Sequence, residues 1–551
     1  MVAGRPQALK PSARRATGRE RQRRKRRQAR PRPWRRLSRN QQEVARRLTA
    51  GQISQVTVSG WGFAARFLAC IEQLEYAALL EIEGQGFQRV MIPIARLLLT
   101  YHLKVLLGIP SMHLVPTRLF REVALLQLIG YTTAHLQAGV CRRGHLAHGP
   151  MHRDTLGPAQ RGSSVERLTA EELEGVLTGA VQRLVARGVF ARSSGHFALD
   201  ASDLDTTARY QGAGKKTVTE RKLVGKGKER RVADVTRLVY GFKVLIVYEV
   251  RLRLVVAAKV VPIQQHEARF TLELARQAIA NLGPGVLRVL LIDRGFLDGL
   301  DLWTLKPELG IDFVIPAKAD LRVTADARGL CRRLDPAVGI LEQTRAGTKQ
   351  VTKDGRERWP GQVTVVGVPA LRSYDQYGTA EPAKQANRTS FVGNALNAVV
   401  VTLWEGTPYP VGDEKVFLTS LAVADPLAVL DLYDLRSLIE NTAFRELKQG
   451  WGLKQYPKKT AAAVRGHVFL TLLTFTLTNA FRTAVGQTLA AHGIRRQRAE
   501  VHTAKIIVFA DEHYAIFDIE EVFILLGVVP QQCWTTDPTR VRRKYSRPDA
   551  A

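Results

Sequence analysis

Cysteine is scarce in this chain. Its four cysteines, Cys70, Cys141, Cys331 and Cys533, stand far apart, with no Cys-x-x-Cys pair and no histidine at zinc spacing. Neither a disulfide framework nor a structural zinc site is expected, which fits a reducing cytoplasm. Long apolar runs are missing too. The longest, Val468 to Phe481, is too short for a bilayer and is interrupted by Thr and Asn. The first 40 residues contain no apolar run of the kind a secretory signal needs. The expectation is a soluble cytoplasmic protein with no membrane partner. Acids are also few, with 50 Asp and Glu against 82 Lys and Arg and a formal net charge of +32. No internal repeat is visible.

Two further absences narrow the class. Gly212-Ala-Gly-Lys-Lys-Thr217 has the look of a phosphate loop, but such a loop needs Gly five residues before its Gly-Lys pair and Ser or Thr directly after the Lys. Arg209 and Lys216 occupy those places, so no nucleotide is expected. This Gly- and Lys-rich loop is read instead as an approach to a nucleic-acid backbone. No aromatic RNA-recognition signature stands out either, which turns the charge toward DNA.

What is present is basic charge in two places. Residues 1–40 hold 16 Lys or Arg and one acid, Glu20, for a net of +15, while the remaining 511 residues carry +17. A polyanion is the expected partner of both parts. The 1–40 segment is too charged and Pro-rich to fold alone and reads as a disordered basic arm. Residues 41–190 show three- and four-residue apolar spacing, a helical DNA-binding domain. Within them Leu119–Gly130 followed by Tyr131–Gly139 has the outline of a helix-turn-helix, although generic helical hairpins look the same.

From about 195 the texture changes to strands. Phe197-Ala-Leu-Asp200 is short and apolar, Leu238–Val250 and Leu252–Ile263 read as a hairpin, and residues 266–282 are helical. Leu287–Phe296 is a buried strand ending in a charged loop, followed by a short helix and the strand Ile311–Ile315. Three strands, a helix, a strand, a helix and a strand describe a mixed α/β sheet, the order of a ribonuclease H-like core. The expected organisation is a catalytic core over 191–317, a β-rich insertion over 318–415, the second part of the core over 416–490, and a C-terminal region over 491–551. His467 sits in an apolar helix and reads as a structural histidine.

Phosphodiester chemistry with two metal ions needs carboxylates from separate elements converging on ions roughly 3.5–4 Å apart. Asp200 closes the first strand in Leu-Asp-Ala-Ser-Asp, and Asp293 closes Leu-Leu-Ile-Asp before Arg-Gly-Phe. A carboxylate where an apolar strand meets its loop projects at the carboxyl edge of the sheet, where open α/β sheets bind ligands. Each taken singly would be an ordinary turn aspartate. Asp203, Asp205 and Asp298 rank lower because they are read as lying in loops beyond the strand ends. Glu440 stands in Tyr433-Asp-Leu-Arg436-Ser-Leu-Ile-Glu440-Asn-Thr-Ala-Phe-Arg-Glu-Leu-Lys448. The three- and four-residue spacing puts Tyr433, Arg436 and Glu440 on one helical face.

Together, Asp-x-Ser after the first strand, Asp-Arg-Gly-Phe after the fourth, and Tyr-x2-Arg-x3-Glu followed by a Lys resemble the DDE transposases of bacterial insertion sequences. More narrowly, the segment Ile439–Trp451 resembles the insertion-sequence-four family, with its Tyr-Arg-Glu-Lys signature. The resemblance covers roughly residues 195–480. It implies that Asp200, Asp293 and Glu440 are catalytic and hold two Mg²⁺ ions, with Mn²⁺ as a substitute. It implies that Tyr433, Arg436 and Lys448 contact DNA. The implied partners are double-stranded DNA, as element ends and as target, and a second copy of the chain on that DNA; the setting is a bacterial nucleoid. A β-strand insertion between the second Asp and the Glu is also implied, and the 147-residue step from Asp293 to Glu440 has room for it. Two departures stand out. Ser437 occupies a place where the family tends to have Trp, and Lys448 lies eight residues after Glu440 rather than seven. On a regular helix that offset turns the Lys by about 100°, and a π-bulge between the two would restore its face. A nuclease that cuts without joining, or a DNA-binding descendant with a dead site, remain rival readings of the same residues.

Overall fold

The computed structural model describes residues 37–82, 92–140, 150–151, 156, 168–224, 231–346, 350–351, 357–358, 361–374, 376–377, 395–491, 504–528 and 536–546. Most of the basic arm therefore lies outside the described residues. The strands, in chain order, are β1 (Ser38–Arg39), β2 (Gln55–Ser59), β3 (His196–Thr206), β4 (Gly214–Val224), β5 (Arg231–Glu249), β6 (Leu254–Pro262), β7 (Val289–Ile292) and β8 (Asp312–Pro316). They continue as β9 (Leu341–Arg345), β10 (Gln350–Val351), β11 (Glu357–Arg358), β12 (Val363–Leu371), β13 (Leu396–Trp404), β14 (Thr407–Pro408), β15 (Lys415–Thr419), β16 (Lys505–Ala510) and β17 (His513–Phe517).

Eleven of these form one mixed sheet in the order β4-β5-β3-β7-β8-β15-β13-β12-β9, with β6 on β5 and β14 on β13. Only the β3–β7 and β7–β8 pairs are parallel; their apolar residues are buried on both faces, as parallel strands require. Strand β5 serves two partners in turn along one edge. Its residues 231–241 pair with β4 and its residues 242–249 pair with β6. Helices Ala170–Ala186, Thr271–Leu282 and Ala461–Ala491 cover β6. The last of these is long and apolar enough to cross a membrane by composition, but 83% of its apolar window is buried inside the protein, so it is a core helix.

The segment between β8 and the Glu440 region supplies helix Arg322–Leu330 and strands β9, β12 and β13. These strands do not make a separate β unit: they extend the core sheet beyond β15. At the start of the chain, helices Gly62–Gln73, Ile94–Leu106, Val123–Leu128 and Thr133–Ala138 fit the helical spacing. The region is not purely helical, because β2 pairs with β16, and β1 with β17, from the far end of the chain. The main apolar core runs from Ala64 to Ile516, and a second, smaller cluster joins Val44, Ala45 and Leu48 to Val508, Ala515 and Phe517. Helix Ile94–Leu106 packs on helix Ala461–Ala491, with Tyr101 bonded to His467 (2.7 Å) and His102 to Thr474 (2.7 Å).

Candidate active site

The parallel register builds the first half of the site. Leu199 of β3 lies opposite Ile292 of β7, and the Asp293 amide donates to the Leu199 carbonyl at 3.4 Å. The next residues along each strand, Asp200 and Asp293, are therefore neighbours across the sheet although 93 positions separate them. Asp200 does not end its strand. It sits in the middle of β3, which continues to Thr206 against β5, so Asp203 and Asp205 are strand residues and not loop residues as the sequence reading had them. What ends near Asp200 is the parallel partner: β7 stops at Ile292, and Asp293 turns away by capping the turn Arg294–Phe296 through Gly295 N–H (3.2 Å).

Arg436 gathers the acids. Its guanidinium lies 3.0 Å from Asp200 Oδ2, 3.4 Å from Asp293 Oδ1 and 3.8 Å from Glu440 Oε2. Burial pushes the Asp200 carboxyl up to about 7; Arg436 and the Ala201 amide oppose this, while Asp293 and Glu440 add to it. Tyr433 places its ring 5.7 Å from the Arg436 guanidinium and 4.7 Å from the Phe417 ring, and burial raises its hydroxyl above the ordinary tyrosine value. The helix is not continuous through these residues as the spacing had implied. Helix Pro426–Asp434 ends first, and a turn at Leu435–Arg436 lets Arg436 reach back to Asp200.

Beyond the turn the segment Ile439–Phe444 is a π-helix, and helix Arg445–Gln449 follows. The wider π turn absorbs the extra residue between Glu440 and Lys448. Leu447 is fully buried in the core. Lys448 is half-buried facing β3; burial and Lys454 lower its amine below the usual lysine range, with Asp205, Asp203 and Asp200 opposing. Asp298 stands apart from this cluster, capping helix Gly299–Trp303.

Two residues supporting the site escaped the sequence reading. Lys243 is buried in β5 and donates to Glu267 at 2.6 Å and to the Gln265 carbonyl at 3.3 Å. Glu267 in turn presses on the Asp293 turn: a Cβ at Gly295 would sit 2.3 Å from Glu267 Oε2. A side chain at Gly295 would therefore have to displace the Glu267 carboxylate. The available signal was a lone Lys inside the apolar run Leu238–Val250, because such a charge needs a partner when buried.

The donor set of Asp200, Asp293 and Glu440 is all carboxylate oxygen, which suits a hard divalent ion. Among the described residues no three Asp, Glu, His or Cys side chains stand close enough together to share an ion. The acids are spaced around a guanidinium, so ion binding requires Arg436 to yield its place.

The family model described as the transposase DDE domain matches residues 192–477, just over half of the chain. The chain also has similarity to the cryo-EM structure of a piggyBac transposase synaptic complex with hairpin DNA, with a TM-score of 0.34 at 10% identity, covering 93% of this chain and 86% of that one. No curated protein matches it.

Proposed function

The chain belongs to the transposase DDE domain family, and from that membership we propose that it is a DNA transposase working at Asp200, Asp293 and Glu440, of the insertion-sequence-four type. The observation that carries this reading is the meeting of three acids, from two parallel strands and a π turn, around one cation at the carboxyl edge of the sheet. Two Mg²⁺ ions, or Mn²⁺, held by those acids would supply Lewis-acid activation of the attacking and leaving oxygens.

The residues of the chain do the rest. Asp200 and Asp293 are fixed by the β3–β7 register and need no rearrangement to act as a pair. Glu440, with its side chain 66% exposed, closes the group from the other side. Arg436, displaced from the acids, turns with Tyr433 and Lys448 toward phosphates of the bound end. Water attacks the phosphodiester at the element end and releases a 3′-hydroxyl. That hydroxyl then attacks a target-strand phosphodiester in line, expelling the target's 3′-oxygen and leaving the element joined. No covalent protein–DNA intermediate is required. We assign end recognition to the 41–190 region and sequence-independent affinity to the basic arm, with two copies of the chain holding two ends.

The test is a cleavage and strand-transfer assay on labelled DNA carrying the element's own ends, with Mg²⁺ or Mn²⁺, beside Asp293→Asn. Metal-dependent 3′-hydroxyl ends and joined products, both missing from Asp293→Asn, are the expected result. Cutting without joining would reassign the chain to a nuclease. Tight end binding with no cutting would leave a DNA-binding descendant.

A further inference from the structure

The Gly- and Lys-rich segment from Gly212, read from sequence as a loop, runs into strand β4, and the register of β4 shows where it goes. Strand β3 pairs with β5 only as far as Tyr240, opposite Thr206. From Val239 to Arg231 the partner of β5 is β4 alone. This two-stranded ribbon therefore leaves the sheet at the carboxyl end of β3, the same edge that carries Asp200 and Asp293. At about 3.3 Å per residue it begins ~20 Å beyond the level of Asp200 and reaches ~50 Å.

Its root is fixed. Gly214 and Gly241 face each other there; a Cβ on Gly241 would lie 2.4 Å from the Leu204 carbonyl oxygen, and one on Gly214 would lie 3.0 Å from the Ile263 amide. The Gln211 amide ties the preceding turn to the Lys459 carbonyl at 2.8 Å. The direction of the ribbon is thus set by the core.

Among the described residues, one face of the ribbon is exposed at Lys215, Thr217, Thr219 and Arg221 on β4, with Asp234, Thr236 and Leu238 opposite. It displays two cations, one acid, three hydroxyls and one apolar side chain. Arg221 pairs with the exposed Asp234 at 3.4 Å, a surface pair of small worth that a phosphate can displace. Residues 214–240 contain nine Lys or Arg against three acids. A hairpin this long is marginal in water without a surface to lie on. Strand β4, at the end of the sheet order, carries five charged residues among its eleven, which discourages pairing with another strand. A two-stranded ribbon fits the major groove of B-DNA, about 12 Å wide, where cations meet phosphates, hydroxyls meet base edges and an apolar group meets a thymine methyl.

We propose that the β4–β5 ribbon is a second DNA-binding element, lying in the major groove of the duplex whose end is held at the acids. This rests on the transposase reading above for the position of that end. At 3.4 Å per base pair, the ribbon covers the stretch about 6–15 base pairs from the cut.

The experiment uses the full chain and two variants. In one, Lys215→Gln, Thr217→Val, Thr219→Val and Arg221→Gln are combined to strip the exposed face. In the other, residues 219–236 are replaced by Asn-Gly, which shortens the ribbon and keeps its root. Binding to a random-sequence 40-base-pair duplex is followed by anisotropy across salt concentrations, and hydroxyl-radical footprints are taken on DNA carrying the element ends. Both variants should lose protection about 6–15 base pairs from the cut and keep protection at the cut. The stripped face should lower the salt slope by about two, roughly 0.9 per lost phosphate contact. Unchanged footprints and slope would overturn the proposal. Unchanged footprints with a dimer falling to a monomer in sedimentation would overturn it as well and assign the ribbon to a second copy of the chain. If the wild type binds but never cuts, the transposase reading fails, while the slope still decides whether the ribbon binds DNA.

Discussion

Asp293 is held in place by atoms that are not acids of the site. A side chain at Gly295 would have to displace the Glu267 carboxylate, which is anchored by the buried Lys243. Gly295→Ala should therefore cost about 1–3 kcal/mol of stability from overpacking, and should reduce metal-dependent cleavage by more than that loss explains. Adding Glu267→Asp, which shortens the clashing side chain, should return part of both. Chemical denaturation and single-turnover cleavage measure the two effects, and equal defects in the single and double variants would refute the account. A second residue-scale expectation concerns His102 and His467, both fully buried and pushed down to about 3 by burial. Their folded values lie below the unfolded one, so the unfolded chain binds their protons first. Stability is intact above about pH 6.5 and falls as the pH drops toward 3, by roughly 1.4 kcal/mol per unit for each histidine. His467→Gln, which retains polar reach to Tyr101 and Gly452, should flatten the fall in Tm below pH 6.5 by about half. An unchanged pH profile would count against the histidines as its source.

At the scale of elements, the π turn Ile439–Phe444 is what lets Lys448 face β3 and Leu447 enter the core. Deleting the exposed Asn441 should collapse the π turn to α geometry and put the Lys seven residues after Glu440. Since seven residues also return to nearly the same helical face, the deletion should keep DNA binding and cleavage within about tenfold, a barrier change near 1.4 kcal/mol. Inserting an alanine at the same place should turn Lys448 away and bury it in place of Leu447, lowering Tm and abolishing cleavage. Loss of activity in both variants would show that the extra residue is not absorbed by the turn.

Across the whole molecule, the segment that matches the family model is not a free-standing unit. Helix Ala461–Ala491 crosses from the sheet to helix Ile94–Leu106 through the pairs Tyr101–His467 and His102–Thr474. Segments at residues 38–59 and 505–517 meet in the β2-β16-β17-β1 sheet. A fragment of residues 192–477 should accordingly lack a cooperative unfolding transition, whereas the full chain should unfold with the sheet and the helical region in one step. A fragment that melts cooperatively near the temperature of the full chain would disprove the shared core.

Much of this was open to the sequence. The β-branched runs of β5 and β6, the apolar β7 ending in Asp293 and the helical spacing before Glu440 each follow from local patterning, which depends only on neighbours in the chain. The spacing mismatch at Lys448 also pointed to a π turn, because helical geometry leaves few other ways to absorb one residue. Pairing was hidden. Strand β4 has too polar a surface to signal a strand, since its exposed face touches no core, and only the register of β5 reveals it. Asp203 and Asp205 passed for loop residues because antiparallel pairing outlasts the parallel pairing beside it. The Lys243–Glu267 support needed two elements brought together, and the joining of β2 to β16 needed contacts between residues more than 400 positions apart. Composition and spacing pointed to a kind of chemistry and to a polyanionic partner; which acids stand side by side, and that Arg436 lies between them, was decided by strand register and a helix break that arise only when distant segments pack.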